Sequence, residues 1–221
     1  MFKTDVYLPS LIELLQGCYH ERLLYVGLQG SYLRNEATED SDIDIMVVID
    51  DISVVDLDEY RKVIFSLGGY DKSCGFICGR EELQNWNPLE ICHLLHTTKD
   101  YFGTLAKLVP EYTENDVRNF VKMSLGNLYH EICHRYIHAP KEKNIAMVPY
   151  TYRSVFFILQ NLHYLNSGRF INNKKELLGV LSGKDKLILE TALSLSEGVD
   201  FVFDEVFALL VSWCKETMVR I

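Results

Sequence analysis

Two apolar runs of strand length, LLYVGLQ at 23–29 and DIDIMVVI at 42–49, constrain this chain more than any other feature. Runs of this length and apolarity suit strands that need cover on both faces, so the chain must build a sheet and supply helices to pack on it. What joins the runs is unlike an ordinary hairpin. Gly30-Ser31 follows the first run directly, RNEATEDS fills the gap, and Asp42 and Asp44 stand at the head of the second.

The flanking sequence supplies the helices and further strands. Ser10-x-x-Glu13 predicts a capped helix through Leu11, Leu14 and Leu15. Asp56-x-x-Glu59 predicts another that ends at Gly68-Gly69, SCGFICG (73–79) a third strand, and Pro88 the start of a helix through Leu95. From residue 98 the pattern turns helical. Thr113-x-x-Asp116 caps a long helix reaching His138, and helices are expected over 150–166, 184–196 and 199–217. The expected architecture is α+β, with an amino-terminal domain over 1–98 and a helical domain over 99–221.

The segment from Gly30 to Asp44 carries the chemistry. A glycine after a strand permits a tight turn whose amides are free of side-chain bulk. Ser31 then begins a short helix with unpaired N–H groups, a setting that suits a triphosphate. Asp42 and Asp44 lie two apart, so on a strand their carboxylates share one face while Ile43, Ile45 and Val47 bury the other. Two adjacent carboxylates repel unless a cation sits between them, and oxygen-rich sites of this kind hold Mg2+ together with substrate phosphates. Arg34 follows closely and either contacts phosphate or is solvated.

The order strand, Gly30-Ser31, polar gap, Ser41-Asp42-Ile43-Asp44, apolar strand resembles the signature of polymerase-β-type nucleotidyltransferases. Within them it most resembles the small-molecule branch, the aminoglycoside adenylyltransferases that modify streptomycin and spectinomycin. The specific match covers residues 23–50, with looser likeness through 87–117 and 152–177. The resemblance implies a nucleotidyltransferase fold, a small mixed sheet with flanking helices followed by a helical domain. It implies adenylyl transfer from Mg2+-bound ATP to a hydroxyl of a small acceptor such as an aminoglycoside. Asp42 and Asp44 would be the catalytic, metal-holding pair, and Gly30, Ser31 and Lys174 would hold the nucleotide, with Lys175 as the neighbouring possibility. The branch also carries a third carboxylate on the strand after Asp44. Here that strand has no acid; Gly75 or Phe76 takes the expected place, and Asp71, Glu81, Glu82 and Glu90 flank it. That gap leaves two other readings: a nucleotide-binding protein without turnover, or an antitoxin-like partner of a helical toxin.

Composition narrows the partners. The net charge is −9 with no basic block, which disfavours long nucleic acid and suits a cationic acceptor. No apolar run approaches the roughly 20 residues that span a bilayer, and MFKTDVYLPS lacks the order of a signal peptide, so the expected location is cytoplasmic. The six cysteines are scattered, with Cys74 and Cys78 expected as buried thiols. One rival motif is present: His130-Glu131-x-x-His134 matches the zinc-binding helix of metalloproteases, with His138 one turn further on. Its third histidine falls at the wrong spacing for the metzincin pattern, and histidines at helical spacing equally suit a solvated face.

Overall fold

A computed structural model describes residues 2–221, which divide into two compact units, Met1–Tyr112 and Thr113–Ile221. In the first unit four strands form one mixed sheet: β1 (Leu23–Leu28), β2 (Ile43–Ile49), β3 (Ser73–Gly79) and β4 (Lys99–Phe102), in the order β3-β2-β1-β4. β1 runs antiparallel to both β2 and β4, whereas β2 and β3 are parallel. The parallel pair requires a crossover, which α3 (Val54–Leu67) supplies.

Alternation along β2 sorts the core onto the two faces of the sheet. Ile43, Ile45, Val47 and Ile49 pack with Leu8, Leu11 and Leu15 of α1 (Thr4–Tyr19) and with Val63 and Ile64 of α3. Met46 and Val48 point the other way, onto Tyr25, Leu83 and Leu105. The second face is covered by α4 (Arg80–Gln84) and α5 (Pro88–His96), while α2 (Gly30–Leu33) occupies the turn after β1.

Several boundaries differ from the sequence expectation, each for a physical reason. α1 begins at Thr4, not Ser10, and runs through Pro9. The missing N–H of Pro9 costs one bond near the helix start. It is offset by a stripe at four-residue spacing (Leu11, Leu15 and Tyr19, with Tyr7 and Leu8), each buried Leu contributing about 1.5–3 kcal/mol. The box that caps α3 is Ser53 with Asp56, three residues upstream of the expected one. β4 lies within the segment expected to be helical, and the first unit runs to Tyr112. As an edge strand with the sequence KDYF and mostly exposed side chains, it has no apolar alternation to signal it.

The second unit is all helical: α6 (Glu114–His138), α7 (Lys141–Ser167), α8 (Lys174–Val180), α9 (Gly183–Ser196) and α10 (Phe203–Arg220). α6 opens on the expected Thr113–Asp116 capping box, and α7 ends at Gly168 in the left-handed conformation. α7 starts nine residues before the expected 150 and contains Pro149. There Asn144 donates its side-chain amide to the carbonyl of Arg135 at 3.0 Å, stitching α7 to the end of α6. Trp213, Tyr152 and Leu159 centre a single core, with the Trp213 indole N–H donating to Asp185 at 2.7 Å.

Candidate functional site

The turn from β1 into α2 brings the predicted residues of the first unit together. Gly30 has φ +67°, and a Cβ built on it would lie 1.8 Å from Oδ2 of Asp44. The Gly30 backbone therefore rests directly on the Asp44 carboxylate, which no side chain at position 30 would permit. The Gln29 amide donates to the Asp44 carbonyl at 2.8 Å, locking this turn to β2. Ser31 is the second residue of α2 and remains half-buried.

Asp44 lies on the face of β2 that carries Met46 and Val48, so its carboxylate meets the end of an apolar layer. Burial raises its pKa, the charge of Asp42 adds to the effect, and a hydrogen bond from Cys74 and the nearby Arg34 guanidinium oppose it. Asp42 sits just before the strand and is exposed. Arg34 is ion-paired with Glu36 at 3.0 Å, both side chains largely shielded from water. It is thus a fixed cation near Asp44, not a solvated arginine.

Position 74 is where sequence reasoning fell short. Parallel pairing sets Cys74 directly opposite Asp44, and their side chains share one face of the sheet. The thiol donates to the carboxylate, and burial together with the charge of Asp44 raises its pKa. Cys74 is exposed, which corrects the expected buried thiol, whereas Cys78 is buried as expected. Gly75 cannot substitute for the missing acid, because a Cβ there would lie 2.0 Å from the carbonyl oxygen of Ile45. Two of the flanking acids are committed elsewhere. Glu90 accepts from the Trp86 indole at 2.6 Å, and Glu82 packs against Gly79. Gly79 stands five residues along the strand from Cys74, roughly 16 Å away. Among the described residues, no group of three or more His, Cys, Asp or Glu is placed to hold a metal.

The donor set left is two carboxylates. It fits a Mg2+ that takes its remaining ligands from substrate phosphates and water, as that ion commonly does. The unfavourable charge on Asp44 is what a divalent cation would relieve. His93, which no sequence signal singled out, is kept neutral by burial and by Arg34, its pKa lowered to about 4.

Lys174 belongs to the second unit, at the first position of α8, with its ammonium 5.6 Å from the centre of the Phe156 ring. The rival histidine motif lies on α6. His130, His134 and His138 form an exposed ladder with ring centres 5.8 and 4.6 Å apart. Glu131 pairs with Arg135 at 3.3 Å, and the buried side of the helix is Val121, Leu125, Leu128 and Ile132. The ladder is a solvated face, and no third ligand joins it among the described residues.

Residues 20–71 match the family model described as a nucleotidyltransferase domain. A spectinomycin adenyltransferase from Enterococcus faecialis, crystallised with ATP and spectinomycin, is 13% identical over 96% of this chain and 98% of its own, with a TM-score of 0.59. A nucleotidyltransferase-like protein from Exiguobacterium sibiricum is 10% identical over 96% of this chain and 75% of its own, with a TM-score of 0.42. A toxin–antitoxin structure with AMP-PNP is 20% identical over 58% of this chain and 92% of its own, with a TM-score of 0.32. No curated protein matches the sequence. The first of these structures has the same fold; the scores of the other two establish nothing further. No helix among the described residues is long and apolar enough to cross a membrane.

Proposed function

From the premise that its amino-terminal unit is a polymerase-β-type nucleotidyltransferase domain, we propose that this chain transfers an adenylyl group from Mg-ATP to a hydroxyl of a small acceptor. One observation carries the reading: the Gly30 turn seats its backbone on the Asp44 carboxylate, joining an anion-binding turn to a metal-binding acid. Asp42 and Asp44 would hold the cation, which would supply positive charge against that of the triphosphate. The amides at Gly30 and Ser31, the Ser31 hydroxyl and Arg34 grip the phosphates. The acceptor hydroxyl attacks the α-phosphorus. Its O–P bond forms as the bond to the pyrophosphate oxygen breaks, pyrophosphate departs, and the hydroxyl proton passes to solvent. These residues contribute position and charge rather than covalent chemistry. An ATP-dependent reaction of this kind belongs in the cytoplasm.

Calorimetry of Mg-ATP with the wild type and with Asp42→Asn/Asp44→Asn tests the site. Magnesium-dependent binding in the wild type and its loss in the double variant are expected. Unchanged affinity in the variant would remove the assignment. Pyrophosphate release should then be screened with spectinomycin and other hydroxylated acceptors. A second reading, nucleotide binding without turnover, draws support from β3, where Cys74 faces Asp44 and Gly75 admits no side chain. It predicts tight Mg-ATP binding with no pyrophosphate release from any acceptor.

A further inference from the structure

Three histidines of α6 play no part in adenylyl transfer as proposed above. His130, His134 and His138 stand at four-residue intervals on an exposed stripe, and the buried residues of the helix lie on its other side. That spacing sets successive side chains over one another. The stripe is not uniform, however. The rings of His134 and His138 have centroids 4.6 Å apart, whereas those of His130 and His134 are 5.8 Å apart.

The difference distinguishes a chelating pair from a neighbour. Zinc–nitrogen bonds are about 2.0–2.1 Å long, so two imidazoles at adjacent positions of one ion place their ring centres about 4.5–5 Å apart. His134 and His138 meet that spacing as they stand, and His130 falls outside it. The flanking residues leave the pair free. Cys133 turns to the core side of the helix and to Tyr129, so it is not a third ligand. Arg135 bonds Glu131 at 3.3 Å and the Thr151 hydroxyl of α7, which compensates its charge and lowers its repulsion of an approaching cation. Imidazole nitrogens suit zinc, copper and nickel, whereas magnesium takes oxygen ligands. With both rings exposed, water completes the coordination and accepts the second N–H of each ring.

We propose that His134 and His138 form a binding site for a late divalent transition-metal ion of the zinc class, distinct in its ligands from the Asp42–Asp44 pair. No third protein ligand joins it among the described residues, so its affinity is moderate and the ion exchanges with solvent. The bound ion clips together the last two turns of α6, which ends at His138. The site does not depend on adenylyl transfer.

The test uses the full chain without a histidine tag, carrying Asp42→Asn/Asp44→Asn so that the acidic pair takes no metal. Calorimetry with Zn2+, and with Mg2+ as the hard-ion control, should give a zinc dissociation constant below about 100 µM and no magnesium binding in that range. His134→Ala and His138→Ala should each weaken zinc binding at least about tenfold, and His130→Ala less than about twofold. All three side chains are exposed, so unchanged metal-free melting will show that the variants fold. Footprinting with diethyl pyrocarbonate, mapped by mass spectrometry, locates the ion without substitution: zinc should protect His134 and His138 and leave the exposed His20 unprotected. No zinc binding in that range would overturn the proposal. So would equal affinity in the parent and the His134→Ala or His138→Ala variant, loss of binding in His130→Ala, or protection of His20 to the same extent.

Discussion

At the residue scale, Gly30 and Asp44 form a matched pair, and under the proposed function its fit serves binding at a cost to stability. Gly30→Ala would add a Cβ 1.8 Å from Oδ2 of Asp44 and force an alanine to φ +67°. We expect a destabilisation of about 1–2 kcal/mol and loss of most Mg-ATP affinity, read by urea melts and calorimetry. Gly17→Ala is the internal contrast. Gly17 lies inside α1 with open space around its Cβ position, so the same substitution should stabilise by up to about 1 kcal/mol. Asp44→Asn has a less intuitive outcome. Burial raises the Asp44 pKa, so the folded state pays for the charge at neutral pH and is relieved as pH falls. Without metal, the variant should melt about 2 °C above the wild type at pH 7 and lose that advantage below pH 4. It should also lack the Mg2+-dependent rise in Tm expected of the wild type. A lower apo Tm at pH 7 would mean that the carboxylate is a structural group rather than a strained ligand.

At the element scale, the start of α3 is tied to the sheet by one carboxylate. Asp56 accepts two bonds from Arg22, at 2.9 and 2.8 Å, and closes the capping box with Ser53. The Arg22 guanidinium and the Ser53 bonds hold its pKa well below the usual carboxylate range. With a depressed folded pKa, the stability it contributes is fully present above about pH 4, its unfolded value, and is lost as pH falls further. Asp56→Asn should therefore weaken the fold at pH 7 by about 1–2 kcal/mol, mainly through the cap, and flatten the stability curve below pH 4. Urea melts at pH 7 and pH 3 would show whether the difference between the two proteins shrinks in acid, as this account requires. Elements of this kind were partly legible in the sequence. Where burial follows period or turn chemistry, as in β1, β2, β3 and the Thr113 cap of α6, the pattern located them to within a residue or so. β4 was hidden because an edge strand reading KDYF buries too little to leave a pattern. The early starts of α1 and α7 were hidden because Pro9 and Pro149 signal breaks locally, while tertiary packing carries both helices through them.

At the scale of the whole molecule, charge is distributed unevenly, and this bears on how an anionic nucleotide is held. The first unit, up to Tyr112, contains 9 basic and 19 acidic residues, and the second 13 and 12. The net charge is therefore −10 in one and +1 in the other, so the excess lies in the unit that carries Asp42 and Asp44. The motif linking Gly30 to Asp44 was visible in the sequence because spacing alone encodes it, whereas Cys74 was not. Only the register of β2 against β3 reveals that a thiol stands opposite the acid, and register is a property of the assembled sheet. The charge asymmetry has a kinetic consequence. Under the proposed function, a nucleotide approaching a unit of charge −10 is repelled at long range and attracted only at contact, through the cation and Arg34. Salt screens the first effect more than the second, because the contacts are short and partly desolvated. Stopped-flow association of Mg-ATP should thus accelerate about threefold as ionic strength rises from about 0.02 to 0.2 M. Chelating the magnesium should abolish binding at every salt concentration. A rate that fell with added salt would mean that a local positive field governs encounter, and the acidic unit would then play no part in how the nucleotide arrives.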